Sequence, residues 1–136
     1  MSPERVNPES LARAAGFTHA VKADGPAVYL AGQTALDADG RLIEGDVVAQ
    51  FEQALGNLLE ALRAAGGRPD QLVSLTIYVV RIERYKKRTR EIGEVWRRLV
   101  GTDYPAMALV EVSRLWDPEA LVEIQGAAVI DGRGGS

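Results

Sequence analysis

The chain has 136 residues, 46% hydrophobic and 26% charged, the balance of an ordinary globular protein able to bury one core within one domain. A formal charge of −3 argues against a general nucleic-acid binder, and the lack of cysteine excludes disulfides, thiolate zinc sites and cysteine nucleophiles. With His19 as the single histidine, multi-histidine metal sites and serine–histidine triads are poorly supplied, and no cofactor is expected.

Residues 1–15 carry Pro3, Pro8 and small side chains and predict an arm outside the core. Met1–Arg5 has no apolar signal-peptide core, and no later run is long enough to span a bilayer, so a cytoplasmic protein is expected. Two short runs, Thr18–Lys22 and Ala27–Ala31, flank Asp24-Gly25-Pro26 and read as a hairpin. Asp37–Gly40 reads as a second turn. Asp46 is placed to cap a helix that ends near Gly66-Gly67. Within it Val47, Phe51, Leu55, Leu58, Leu59 and Leu62 recur at helical spacing as one buried stripe.

Leu72–Val80 alternates as a strand, with Val73, Leu75, Ile77 and Val79 opposite Ser74, Thr76 and Tyr78. A second helix is predicted from Glu83 to Val100, turning Tyr85, Ile92, Trp96 and Leu99 inward and stopping at Gly101. Asp103–Ala128 supplies two further strands around a loop at Asp117-Pro118. On the first, Met107, Leu109 and Glu111 oppose Ala106, Ala108, Val110 and Val112. On the second, Leu121, Glu123 and Gln125 oppose Val122, Ile124 and Gly126. The glycine-rich end, Gly132–Ser136, is predicted to fray.

Strands and helices in this order predict an α+β fold of one domain with its helices on one face of the sheet. The other face presents Tyr78 with either the Met107/Leu109 or the Ala108/Val110 side. That surface is too apolar for water, and a further subunit is its simplest cover. Glu111 and Glu123 each stand on a face that is otherwise mostly apolar, as rim carboxylates or as working groups in a cleft.

Several motifs carry a resemblance. Pro105-Ala106, Val110-Glu111-Val112, Arg114-Leu115 and Val122-Glu123-Ile124 resemble the C-terminal signature of the Rid/YjgF family, the reactive intermediate deaminases. Gly32-Gln33 is similar to the family's Ser-Gly-Gln strand end, with Ala31 in place of the serine. Gln50 with Ala54-Leu55-Gly56-Asn57-Leu58 resembles its first-helix motif, and Gly16-Phe17-Thr18-His19-Ala20 a degraded form of its Gly-Pro-Tyr-Ser-Gln-Ala block. The resemblance implies a chorismate-mutase-like fold, a mixed six-stranded sheet with two helices on one face, and a homotrimer with a cleft at each subunit interface.

In the deaminating members an arginine after Pro-Ala holds the carboxylate of a 2-imino acid, and the glutamate of the last strand works with the attacking water. Arginine offers a planar fork to a carboxylate, and hydrolysis needs an acceptor near the water. Here Glu123 stands at the glutamate position, and Met107 replaces the arginine. The resemblance therefore implies Glu123 and His19 as catalytic candidates, and Met107, Phe17, Thr18, Gln33 and Ala31 as substrate-binding candidates. Thr89 is matched to the family's helix asparagine. A lone histidine is more often structural than catalytic, and Met107 most simply fills apolar space. Glu111 reads as structural.

Two functions follow as expectations. One is a deaminase-like hydrolase whose substrate is not a simple 2-imino acid. The other is a noncatalytic trimer binding a small ligand or protein partner at the same cleft, a reading favoured by the polar groups lost at Met107, Ala31 and Phe17. The basic run Lys86, Lys87, Arg88, Arg90, Arg97 and Arg98 is explained by a solvated helix face, with nucleic acid the less favoured partner. Arg5, Arg81 and Arg114 are the cations that could replace the lost clamp.

Overall fold

The structure, a computed structural model, describes residues 3–131. Its strands are β1 (Glu4–Val6), β2 (Ala20–Lys22), β3 (Ala27–Gln33), β4 (Leu72–Val79), β5 (Ala106–Glu111) and β6 (Val122–Val129). Its helices are α1 (Val47–Ala64), α2 (Ile82–Lys86) and α3 (Thr89–Leu99). The expected α+β architecture is present. Its six strands, however, divide into a four-stranded sheet ordered β3-β6-β4-β5 and a separate β1–β2 pair. The β4–β5 pairing is parallel and the other pairings are antiparallel.

The division corrects the predicted hairpin. Gly25 takes a positive φ of 142°, and a Cβ there would run into the Ile130 backbone. The Pro26 carbonyl accepts the Ile130 N–H at 3.0 Å, so the chain leaves the turn along β6 rather than back along β2. β2 pairs instead with β1. The N-terminal arm therefore contributes a strand of its own.

Asp46 caps α1 as the sequence indicates, its Oδ1 accepting the Ala49 N–H at 3.0 Å. The α1 stripe from Val47 to Leu62 is buried against Leu75, Ile77, Val79, Val122 and Ile124 on one face of the large sheet. Gln50, buried within that stripe, donates to the Glu119 carbonyl at 3.2 Å and accepts the Leu121 N–H at 2.8 Å. It ties the helix to the start of β6.

The predicted second helix is broken into α2 and α3 at Lys87-Arg88. There the Thr89 hydroxyl donates to the Lys86 carbonyl at 3.2 Å, and the Arg88 guanidinium is held by Asp46 and Glu91 at 2.6 and 2.8 Å. Tyr85, Ile92 and Trp96 are buried as expected, together with Val95. Glu111 Oε1 accepts the Ile82 N–H at 2.9 Å, which makes it a cap for α2. The frayed end predicted at Gly132–Ser136 lies outside the described residues.

Register decides which side of β5 faces out. Met107 and Leu109 pair with Leu75 and Ile77 on the helix side, whereas Ala106, Ala108 and Val110 pair with Ser74, Thr76 and Tyr78. The open face therefore carries Tyr29 (85% exposed), Val110 (40% exposed), Ala108, Tyr78 and Gln125. No described element of the chain covers it.

Candidate ligand cleft

A cavity of about 400 Å³ opens on the helix side of the sheet, between β5, α3 and the segment before β2. Local hydrogen bonds build its wall. The Thr18 N–H donates to the Pro105 carbonyl at 3.0 Å, and the Thr18 hydroxyl to the Tyr104 carbonyl at 2.7 Å. These bonds staple the Gly16–Thr18 segment to the start of β5 and bring Phe17 to the cavity. Across it Trp96 stacks on Tyr104, with ring centroids 5.3 Å apart and planes 12° apart. The indole N–H is spent on the Asp103 carbonyl at 3.1 Å. Met107 and Leu109 close the sheet side, with Tyr85, Thr89 and Ile92 from the helices. Among the described residues no charged side chain lines this space.

Glu123 is elsewhere. It pairs with Tyr78, whereas Met107 pairs with Leu75. Only Thr76 and Ile77 lie between Leu75 and Tyr78 along β4, so the carboxylate and the thioether point to opposite faces of the sheet. The carboxylate lies down over Gly32 of β3, where a Cβ would overlap it. Only glycine permits that approach. Beside it the Tyr78 hydroxyl donates to Gln125 Oε1 at 2.9 Å. Glu123 itself is half-buried and has no hydrogen-bond or ion-pair partner among the described residues.

The candidate residues thus fall into separate groups. Phe17 and Met107 border the cavity, and Thr18 positions its wall with a hydroxyl already engaged. Glu123 belongs to the open face, next to Gly32; Ala31 is exposed on β3, and Gln33 is half-buried opposite Ile124. One chain does not bring the groups together. His19 joins neither: its Nε2 is 2.7 Å from the Ala12 carbonyl, and its backbone N–H donates to Asn7 Oδ1 at 2.8 Å. The ring also meets Phe17 edge-on at 4.9 Å, so His19 holds the arm and braces a cavity wall.

The replacement cations are engaged or distant. Arg5 donates to the Asp70 carbonyl at 3.1 Å and lies 3.7 Å from Asp103. Arg114 folds onto the Leu115 and Trp116 carbonyls. Neither these nor Arg81 lines the cavity. Much of the basic run is paired, Arg88 with Asp46 and Glu91, and Arg98 with Glu52. Among the described residues no cluster of acids and histidines could hold a metal ion, and no helix is long and apolar enough to cross a membrane.

Sequence reading assigned Tyr85 and Trp96 to the core and passed over Tyr104 as part of the site. The available signal was local, since Tyr104 directly precedes Pro105-Ala106. Thr89, at the start of α3, lines the cavity.

The α+β sheet is backed by helices on one face, with the cavity on that side and Glu123 on the other. The profile of the family described as endoribonuclease L-PSP matches residues 8–130. A Rid-family protein of unknown function from Yersinia pestis superposes with a TM-score of 0.85 at 36% identity, covering 96% of this chain and all of the other. Protein DfrA of Myxococcus xanthus is 33% identical over 95% of this chain and 97% of its own length. A 2-iminobutanoate/2-iminopropanoate deaminase of Capra hircus is 32% identical over 75% of this chain and 72% of its own. The chain belongs to the Rid/YjgF family.

Proposed function

We propose that this protein is a deaminase-like hydrolase of the Rid family, working as a homotrimer whose clefts each join the cavity of one subunit to Glu123 of the next. The observation that carries this reading is the split just described: an unpartnered carboxylate on an uncovered face, and an apolar cavity on the other side of the same sheet. A closed ring of subunits covers the open face and supplies the missing half of each cleft. Water held by Glu123 adds to the carbon of a C=N bond as the carboxylate takes its proton. That proton returns to nitrogen to give a carbinolamine, and the carboxylate then carries the hydroxyl proton to nitrogen as the C–N bond breaks, leaving a carbonyl compound and releasing ammonia. Phe17 and Met107 form the wall that receives the rest of the substrate, and His19 acts through Phe17 as a positioning residue.

The Capra hircus relative is named for 2-imino acids, whose carboxylate needs a cation. The cavity offers none, so the substrate here is an imine or enamine without a carboxylate at that point. A noncatalytic trimer that binds such a ligand is the second reading, favoured by the same lack of polar groups.

Glu123→Gln separates the two. It should preserve the trimer mass in light scattering while abolishing release of ammonia from neutral imines. A monomer at micromolar concentration would sink the shared cleft. Unchanged turnover in Glu123→Gln would remove the glutamate from the mechanism.

A further inference from the structure

The cavity wall is apolar except at a few hydroxyls, and these are not equivalent. Thr89 spends its proton on the Lys86 carbonyl, and half-buried Tyr104 can turn to water. Tyr85 is only 8% exposed, lies edge-on to Phe51 and has no hydrogen-bond partner among the described residues. Arg5 Nε is the one side-chain polar atom among those residues that is both fully occluded and unpartnered. The Tyr85 hydroxyl is therefore not fully occluded, and Tyr85 is among the residues that border the cavity. A buried hydroxyl without a partner costs free energy unless something bonds to it.

We propose that this cavity takes the uncharged aromatic part of the ligand, and that the Tyr85 hydroxyl donates a hydrogen bond to an acceptor on it, a carbonyl oxygen or ring nitrogen. The proposal deepens the functional reading above and rests on it for the identity of the cleft. Flat walls from the Trp96–Tyr104 stack and Phe17 favour a ring. No cation among the described residues lines the cavity, which disfavours a carboxylate, and no acid lines it, which disfavours an ammonium group. Burial pushes the phenol up to about 12, so near neutrality it remains a donor. Tyr85 is thus a specificity-determining residue.

The test uses benzamide, toluene and benzoate as probes of the full-length protein. The chain has two tryptophans, and their indole N–H signals serve as reporters in an NMR titration. Trp96 lines the cavity, whereas Trp116 is 95% exposed and serves as the internal control. Benzamide should move the Trp96 signal, leave Trp116 in place and bind more tightly than benzoate. Tyr85→Phe keeps the ring against Phe51, so the fold is not at stake. It should weaken benzamide about three- to tenfold, the value of one neutral hydrogen bond, and leave toluene unchanged. Equal benzamide affinity in both proteins, or a parallel loss for toluene, would reduce Tyr85 to plain wall and overturn the proposal. Benzoate binding as well as benzamide, or no probe moving Trp96, would overturn it too. Because the cavity is lined within one chain, these outcomes are independent of trimer formation and of Glu123, on which the functional reading is tested.

Discussion

Met107→Arg restores the cation that 2-imino acids require, and its effects can be worked out on both sides of the ledger. Met107 is half-buried beside Leu75 and Leu109, and no acid lines the cavity. In the free protein the new guanidinium has no partner and must reach toward the cavity mouth to stay hydrated. A loss of roughly 1–3 kcal/mol in folding stability is expected, the typical penalty for a polar group left unsatisfied. Substrate reverses the balance. Losing one partner of a buried charge pair costs about 2–5 kcal/mol, so supplying it should improve binding of a small 2-imino acid from tens- to thousands-fold. The assay generates imino acids in situ with an amino-acid oxidase and follows the acceleration of ammonia release. Wild type should be close to the uncatalysed rate, and Met107→Arg should exceed it if Glu123 still holds water. Robust wild-type activity would refute the argument, because it would require a cation that the cavity lacks. An inactive variant that retains its trimer mass and folds cooperatively would favour the noncatalytic reading.

Three further outcomes follow from the same geometry. A Cβ introduced by Gly32→Ala would stand 2.9 Å from Glu123 Cδ and 3.2 Å from Cγ, against a comfortable carbon contact of about 3.5–4.0 Å. The carboxylate must retreat by roughly 1 Å, enough to cost about a hundredfold in turnover, and undiminished turnover would show that its position is unimportant. Gln50→Leu leaves the Leu121 N–H and the Glu119 carbonyl without their partner, at roughly 2–4 kcal/mol in urea unfolding; a loss below about 0.5 kcal/mol would mean both bonds are dispensable. Asp46 is held below its usual range, first by the Ala49 N–H and then by Arg88. A depressed carboxyl adds stability that is present above its unfolded value near 3.8 and lost as pH falls through the lower folded value. Asp46→Asn should therefore flatten the acid limb of a stability–pH curve below about pH 4. A parallel limb would leave Asp46 without influence there.

Much of this was legible in the sequence, and the misses have a shared cause. The α1 stripe, its Asp46 cap and the alternation of β4 are local patterns, and local patterns survive into the fold. The hairpin failed because two short strands choose partners non-locally: β3 lies against β6 through a register fixed by Gly25 and Pro26 with Ile130, which is far away along the chain. The break at Lys87-Arg88 depends on Asp46, which belongs to another helix cap and cannot be paired with Arg88 by periodicity. The site shows the same limit. Its residue types were readable from motifs, but their division between two faces follows from the pairing of Leu75 with Met107 and Tyr78 with Glu123. Sequence gives parity within a strand; only pairing relates the parity of one strand to another.

That division constrains how the chemistry can change. Met107, Phe17 and Tyr85 shape what the cavity accepts, while Glu123 and Gly32 fix a carboxylate on the opposite face. Within one chain the sheet stands between them, so a substitution in the cavity has no direct contact through which to disturb the carboxylate. Under the proposed function, the absence of a charge at Met107 would redirect substrate choice and leave the glutamate's setting as it was. In the proposed trimer the coupling between the halves would be made where subunits meet. On that proposal, selectivity would belong to the cavity and hydrolytic competence to the assembly.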